Sequence, residues 1–416
     1  MIHQPAVTIR ARADRQYIRP HDRSHRFVLV ELTAPPATQS RRRPPVNLAF
    51  VIDRSGSMSG QKLELAKQAV MDGISRLDDL DRFTVVAYDD EVRVVVESTT
   101  ASGAARRDAI DAIRRIDTGG STNLSGGWLA GCEQVAARLD AEAVNRALLL
   151  TDGLANKGIT DHDELTIHAR ELRARGISTT TFGVGNDFDE SLLQSMADAG
   201  GGHFYFIAHA AQIRDHIASE VGETLEVVAR EVALELNVAE GIRVEAISPH
   251  QVTPGAQRAR VLVGDFVADQ VVEVVLRLTF PYAEIGRETR VMVALDGHDE
   301  RLTWTYADDR TNDVQVRDVA VDRAVARQYA ARARQEAVQR NRAGEFSHAR
   351  GVLDATAKRI RRYANRDPEL RDLVHALERE SQEFAAPVAP MMLKSMHFAS
   401  ANEARSRDAM GRSRKR

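Results

Sequence analysis

The stretch NLAFVIDRSGSM, residues 47–58, decides the fold of this chain. Its first half is a short apolar run, which is typical of a strand buried on both faces of a parallel sheet. The polar half places Asp53, Ser55 and Ser57 after that strand and before an amphipathic segment. Open α/β sheets bind ligands at the carboxyl ends of their strands, so this loop is the first candidate site.

Residues 46–221 alternate short apolar runs with amphipathic segments that have helical spacing. This alternation predicts an α/β domain with a doubly wound, mainly parallel six-stranded sheet and helices on both faces. The predicted strands are 47–52, 82–88, 92–96, 146–150, 178–184 and 203–207, and the predicted helices are 62–77, 105–116, 127–139, 163–176 and 189–200.

The flanking regions have different patterns. Residues 1–45 contain two alternating runs and then a linker, APPATQSRRRPP at 34–45, that is rich in proline and arginine. Residues 222–310 contain strand patterns without helices between them, which predicts an antiparallel β-sandwich. We expect the strands of residues 1–45 to join that sandwich, so that the α/β domain is an insertion into it.

The C-terminal part is predicted to be helical over residues 311–384, as a packed α-helical hairpin. Residues 385–416 are predicted to be a flexible tail, because residues 401–416 hold six Lys or Arg against two acids, a net charge of +4. Within this tail, MMLKSMHF at 391–398 is either a docking segment or a strip folded onto the helices.

The composition restricts the class of protein. Of 416 residues, 43% are hydrophobic and 28% charged, which is ordinary globular usage. The net charge of −3 disfavours a nucleic-acid or membrane-surface binder. The lone Cys132 excludes an intramolecular disulfide and a thiolate metal site. We find neither a secretory signal nor an apolar run that could span a bilayer, so we expect a soluble, cytoplasmic protein without a membrane span.

Two further oxygen-bearing residues belong to the same candidate site. Thr122 lies in the glycine-flanked loop GGSTN, residues 119–123, and Asp152 directly follows a predicted strand. Hydroxyl and carboxylate oxygens are ligands for Mg²⁺ or Mn²⁺ rather than for Zn²⁺ or copper. An alternative role for Asp53 and Ser57 is to cap the following helix. The predicted metal ligands are Asp53, Ser55, Ser57, Thr122 and Asp152.

These five residues resemble the metal-ion-dependent adhesion site of the von Willebrand factor type A domain, which has D-x-S-x-S, then a loop threonine, then an aspartate after the fourth strand. The segment TFGVGNDFDESLLQSMADAGGGHFYFI, residues 181–207, is similar to the late part of such domains. The regions on either side resemble those of bacterial proteins that join this domain to a β-sandwich and a helical region.

The resemblance implies how the site works. The two serines and the threonine would bind the metal directly, and the aspartates largely through water. An Asp or Glu of a partner protein would then complete the coordination of the ion. The sequence thus predicts a non-enzymatic, divalent-metal-dependent protein–protein interaction module with no catalytic residues.

Other chemistries lack part of their pattern. DRSGS at 53–57 lacks the first glycine of the serine hydrolase motif, and Ser55 stands where an aspartyl phosphotransferase usually has a second carboxylate. Two further roles remain open from the resemblance. One is an accessory or adaptor subunit of a MoxR-type AAA+ ATPase, with the C-terminal tail as the contact. The other is RNA binding, which the net charge disfavours.

Overall fold

The computed structural model describes residues 7–21, 23–37, 43–364 and 366–416. These residues form two compact units. One unit consists of residues 43–227 and 410–412, and the other of residues 7–37, 228–409 and 413–416. Residues 1–6, at the start of the stretch in which we expected no secretory signal, lie outside the described residues. Residues 38–42, which hold two of the three consecutive arginines of the expected linker, also lie outside them.

The strands of the described residues are, in chain order, β1 (Thr8–Ala13), β2 (Tyr17–Ile18), β3 (His25–Thr33), β4 (Val46–Asp53), β5 (Arg82–Tyr88), β6 (Val92–Thr100), β7 (Val144–Thr151), β8 (Ser178–Val184), β9 (Gly201–Ile207), β10 (Val227–Val238), β11 (Arg243–Ala246), β12 (Gln251–Pro254), β13 (Arg258–Val267), β14 (Val271–Thr279), β15 (Glu288–Leu295) and β16 (His298–Tyr306).

The α-helices of the described residues are α1 (Gln61–Ser75), α2 (Gly103–Arg114), α3 (Leu124–Ala136), α4 (His162–Ala174), α5 (Glu190–Ala199), α6 (Ile213–Leu225), α7 (Asp309–Val314), α8 (Val319–Arg342), α9 (Phe346–Ala364), α10 (Pro368–Glu383) and α11 (Pro390–Ala404). None of these helices is long and apolar enough to cross a membrane.

The α/β unit has the predicted fold. Its sheet has the order β6-β5-β4-β7-β8-β9, and within it only β6 is antiparallel to its neighbour. Helix α1 packs against α2 and α6, while α4 packs against α5. Every residue of β4 and β7 is buried, as expected for central strands covered on both faces. The predicted doubly wound, mainly parallel six-stranded sheet is therefore confirmed.

Two glycines let helix α3 lie close to this sheet. A Cβ atom added at Gly127 would lie 2.3 Å from the Tyr88 ring, and one added at Gly131 would lie 2.5 Å from a methyl group of Val51. Real Cβ atoms do not approach so closely, so only glycine fits there. Cys132, on α3, is buried.

The second unit contains the predicted antiparallel sandwich. Its sheets have the strand orders β1-β3-β14-β11 and β12-β13-β10-β15-β16-β2. The pairings β1–β3, β3–β14, β14–β11, β12–β13, β10–β15 and β15–β16 are antiparallel, and the short β16–β2 pairing is parallel. Alternate residues of β3 and β14, such as Val30 and Val274, lie in the core between the sheets with Trp304. The N-terminal strands β1 and β3 pair with each other and, through β3, with β14, so they are part of the sandwich.

Helix α8 contributes to two apolar cores of this unit. Its first turns place Val321 and Val325 against Leu29 and Val275, on the outer face of the β3–β14 sheet. Its later turns pack against α9 and α11, where Leu353 and other apolar residues form a second core. The helical region is thus a layer on the sandwich and contains more helices than the hairpin we expected.

The expectation of a flexible tail over residues 385–416 was wrong. Residues 390–404 form helix α11, and Leu393, Phe398 and Ala401 are buried. Beyond the helix, the backbone N–H of Val271 donates to the carbonyl of Arg414 at 2.9 Å, and that of Arg416 donates to the carbonyl of Asp269 at 3.0 Å. The prediction relied on the basic residues, and charge does not report on apolar residues such as Leu393, Phe398 and Ala401, which pack the segment back onto its unit.

Candidate metal centre

Asp53 ends β4 and is held by two hydrogen bonds. Its Oδ1 accepts from the backbone N–H of Ser55 at 2.8 Å, and its Oδ2 accepts from the Thr151 hydroxyl at 2.7 Å. Burial raises the pKa of Asp53 above its usual value, although these hydrogen bonds act in the opposite direction. A carboxylate in this position would be stabilised by a nearby cation.

The two serines connect this loop to the end of β7. The hydroxyl oxygens of Ser55 and Ser57 lie 3.1 Å apart, and the Ser57 hydroxyl donates to Oδ1 of Asp152 at 2.6 Å. Asp152 follows β7, the strand next to β4 in the sheet, and it is buried. Side chains 95 residues apart in sequence therefore meet at the carboxyl edge of the sheet.

Thr122 reaches the same place from a third segment. The backbone N–H of Gly56 donates to the carbonyl of Gly120 at 3.0 Å, which joins the loop before α3 to the loop before α1. A Cβ atom added at Gly153 would lie 3.4 Å from the Thr122 hydroxyl oxygen and 3.9 Å from that of Ser57. The structure thus brings all five predicted ligands to one edge of the sheet.

Asp89 positions the threonine loop, and sequence reasoning missed its role. It follows β5 and is buried; its Oδ1 accepts from Arg54 and its Oδ2 from the backbone N–H of Gly120, both at 2.8 Å. Burial alone would raise the pKa of Asp89, but hydrogen bonds from the backbone of Gly120 and Glu91 and the charge of Arg54 bring it below its usual value. The Gly-Gly pair at 119–120 is the sequence signal for this close contact, because a Cβ at Gly119 would lie 1.6 Å from the Asp89 carboxylate.

Lys62 is the second residue that sequence reasoning missed. It lies in the first turn of α1, and its ammonium group donates to Oδ2 of Asp152 and, at 3.3 Å, to the backbone carbonyl of Ser57. The side chain of Lys62 is 31% exposed, whereas that of Asp152 is fully buried. The chain therefore supplies a positive charge of its own to the candidate site.

The side chains present fit a hard divalent cation. The set consists of three hydroxyls and two carboxylates, all of them oxygen donors, which suits Mg²⁺ or Mn²⁺. A different cluster of potential ligands, His203, Glu220 and Glu223, lies elsewhere in the same unit. There Glu220 accepts hydrogen bonds from Arg146 at 2.7 Å and from Thr180 and Tyr205 at 2.8 Å, so it is the centre of a buried ion-pair network.

The fold and the site define an α/β domain of the doubly wound class with an oxygen-lined site at the carboxyl ends of its parallel strands. Residues 47–219 match the sequence model of the von Willebrand factor type A domain. The chain therefore carries a von Willebrand factor type A domain, and the resemblance seen in the sequence is confirmed. Such domains generally act as metal-dependent adhesion or protein-interaction modules.

Known relatives share different portions of the chain. The uncharacterized protein YfbK of Escherichia coli is 32% identical over 200 residues, which are 48% of this chain and 34% of that protein. The chain therefore matches about a third of that relative's length. An uncharacterized protein of Synechocystis is 27% identical over 337 residues, 76% of this chain and 79% of its own.

The whole chain has a structural counterpart. A von Willebrand factor type A protein from Catenulispora acidiphila matches with a TM-score of 0.72 and 20% identity, covering 96% of this chain and 91% of its own. At this identity the match shows the fold alone, and it extends across the sandwich and the helices as well as the α/β unit.

Proposed function

We propose that the α/β unit is a divalent-metal-dependent protein-interaction module that binds an Asp or Glu side chain of a partner protein. Asp53, Ser55, Ser57, Thr122 and Asp152 would hold Mg²⁺ or Mn²⁺. The metal would supply an electrophilic centre for the partner's carboxylate. The protein's own contribution is to fix the five oxygen donors before either ligand arrives.

One observation carries this proposal: side chains from three separate segments converge at the sheet edge, with Ser57 and Asp152 in direct contact at 2.6 Å. A helix cap would not require this convergence, since capping involves only residues near one helix start. Consistently, helix α1 begins after Gly60, and no side chain caps its first turn. Hydroxyl ligands leave much of the metal's charge uncancelled, which favours recruitment of an external carboxylate.

Calorimetric titration tests the metal site. The full chain, stripped with a chelator and then dialysed, is titrated with MgCl₂ and MnCl₂. We expect uptake of one ion, and at least about tenfold weaker uptake by Ser57→Ala and Thr122→Ala. Ser59→Ala is the matched control, because Ser59 is an exposed serine two residues after Ser57. If Thr122→Ala titrates like the wild type, the threonine loop is not part of the site.

Partner binding requires a second experiment. Proteins retained by the immobilised chain in Mg²⁺ but released by chelator are identified, and each Asp or Glu on their contact surface is changed to Asn or Gln. We expect one such change in the partner to abolish retention to the same extent as Ser57→Ala in this chain. A partner that binds equally in chelator would contradict the proposed mechanism.

The described residues give no support to the ATPase-adaptor and RNA-binding alternatives. The adaptor hypothesis relied on a free C-terminal segment, and the apolar side chains Leu393 and Phe398 of that segment are buried within their own unit. No observation in the α/β unit favours RNA over protein. We therefore propose no enzymatic activity and no second function for this site.

A further inference from the structure

A basic cavity lies in the sandwich–helix unit, apart from the metal centre. Its volume is about 310 Å³, within the range of sites that bind small molecules. Five arginines from four segments of the chain line it, together with three aromatic side chains and His25. The arginines are Arg15, Arg277, Arg317, Arg359 and Arg362, and the aromatic residues are Phe27, Tyr329 and Tyr363. We call this cavity the arginine pocket.

The positive charge of the arginine pocket is only partly compensated. Arg15 pairs with Asp14, Arg277 with Glu245 and Arg317 with Asp322. Within the described part of the chain, Arg359 and Arg362 have no carboxylate partner. Both are exposed on α9, three residues apart, so they share one face of the helix. Two like charges on one helix face destabilise it unless an anion lies between or beside them.

Two of the guanidinium groups lie over aromatic rings. Arg359 lies over the ring of Tyr329 at 4.6 Å, and Arg317 lies over the ring of Tyr363 at 4.9 Å. A guanidinium over an aromatic ring is held there by a cation–π interaction and can still donate its N–H groups to an oxyanion. Arg359 is therefore a preorganised donor at the pocket.

Three titratable groups at or near the pocket have lowered pKa values, for which burial is the main cause and a neighbouring arginine a further one. Burial, and then the charge of Arg277, lower the pKa of His25. Burial, and then the charge of Arg15, lower the pKa of Arg26 to about 10. Arg332, on α8, also has a lowered pKa, mainly through burial and partly through Arg277. An anion in the pocket would relieve this repulsion.

We propose that the arginine pocket binds a phosphorylated small molecule, with Arg359 and Arg362 as the phosphate-binding residues. A phosphate monoester carries a charge of about −1.5 to −2 at neutral pH, which matches the two uncompensated guanidinium groups. A carboxylate carries only one charge and needs only one arginine. The walls formed by Phe27 and Tyr329 would contact the organic part of the ligand, such as a nucleoside. Free phosphate shares the anionic group but not that part.

The test is calorimetric and ³¹P NMR titration of the full chain with inorganic phosphate and with adenosine 5′-monophosphate, in EDTA so that no divalent ion takes part. We expect both probes to bind, and the double variant Arg359→Gln/Arg362→Gln to bind at least about tenfold more weakly. Arg350→Gln is the matched control, because Arg350 lies on the same helix, pairs with Asp354 and does not line the pocket. It should bind like the wild type.

Thermal unfolding separates loss of binding from loss of folding. Without ligand, the double variant should unfold at or above the wild-type temperature, because two uncompensated charges have been removed. Millimolar phosphate should raise the unfolding temperature of the wild type but not that of the variant. Tighter binding of the nucleotide than of phosphate would support the proposed contact of the aromatic wall with the organic part, whereas equal binding would contradict that contact and make the pocket a site for free phosphate.

Three further results would overturn the proposal: no heat and no ³¹P shift with either probe at millimolar concentration, equal loss of binding in Arg350→Gln, or displacement of phosphate by a glutamate-rich peptide at a lower concentration than by the nucleotide. The last result would make the pocket a site for acidic peptides.

Discussion

The metal centre and the arginine pocket hold charge in opposite ways. In the metal centre, both oxygens of Asp53 and both oxygens of Asp152 accept hydrogen bonds from the protein, and one of the donors is the ammonium group of Lys62. In the arginine pocket, two of the five guanidinium groups have no carboxylate partner within the described residues.

The difference indicates what each ligand must do. A metal ion entering the α/β unit competes with Lys62 for the Asp152 carboxylate, whereas the Thr151 hydroxyl orients the Asp53 carboxylate. An anion entering the arginine pocket competes only with water and relieves repulsion. Substitutions that remove or displace groups that hydrogen-bond the carboxylates should therefore change metal affinity strongly. Substitutions of the aromatic rings that contact the guanidinium groups should change phosphate affinity more weakly.

The largest effect is expected from Gly119→Ala. The added methyl group would lie 1.6 Å from the Asp89 carboxylate, so Asp89 or the threonine loop must move. We expect metal affinity to fall by about 100-fold and the free energy of unfolding to fall by about 1–3 kcal/mol. Metal titration and urea unfolding measure these two quantities.

Gly103→Ala is the control for this substitution, since its added methyl would meet only the end of the Arg107 side chain at 3.6 Å. Phosphate binding should be unchanged in both variants. A Gly119→Ala protein with wild-type metal affinity would contradict the role assigned to the Asp89 contact.

A smaller effect is expected from Thr151→Val, which removes the hydroxyl that donates to Oδ2 of Asp53 at 2.7 Å. The carboxylate then loses its orientation, and we expect metal affinity to fall by about tenfold. Calorimetric titration with MgCl₂ is the measurement. Thr166→Val on α4 serves as the control, and it should titrate like the wild type. Equal affinities for Thr151→Val and wild type would mean that the Ser55 backbone alone orients Asp53.

Lys62→Met should have the opposite sign. It removes the cation that donates to Asp152, and we expect Mg²⁺ to bind about fivefold more tightly, which corresponds to about 1 kcal/mol for a partly exposed ion pair. The metal-free protein should also become less stable, because the buried Asp152 carboxylate loses a partner. Lys157→Met, at an exposed lysine of the same unit, is the control. Weaker Mg²⁺ binding by Lys62→Met would show that the lysine assists the metal.

The smallest effect is expected from Tyr329→Leu in the arginine pocket. The substitution removes the ring beneath Arg359, and we expect phosphate affinity to fall about threefold, with metal affinity unchanged. Tyr282→Leu is the control, since Tyr282 is 61% exposed and does not line the pocket. A larger loss for Tyr329→Leu than for Arg359→Gln would indicate that the aromatic wall, not the charge, is the main source of affinity.

The fold and the edge of the sheet that carries the site could be predicted because their signals are local. The strand–helix alternation of residues 46–221 implies a parallel sheet, and in such a sheet Asp53 and Asp152 must follow strands that end on the same side. Thr122 could be added because its glycine-flanked loop precedes a helix. These inferences need only spacing and residue type.

The supporting contacts could not be predicted in this way. The contact between Lys62 and Asp152 depends on the rotamers of one flexible side chain, and sequence spacing does not specify these rotamers. The arginine pocket joins Arg15 to Arg362, which are far apart in sequence, and no spacing rule relates them. The C-terminal segment was misjudged for a similar reason: the backbone groups of Asp269 and Val271 that receive it lie more than a hundred residues earlier.

Because α8 lies in two apolar cores at once, the sandwich cannot be excised from its helices. A truncation at residue 310 would leave Leu29, Ile247 and Val275 facing water as a contiguous apolar surface. Exposed surfaces of this kind promote aggregation. For recombinant work, residues 7–37, 228–409 and 413–416 should therefore be treated as one cooperative melting unit, and its calorimetric trace should show a single transition.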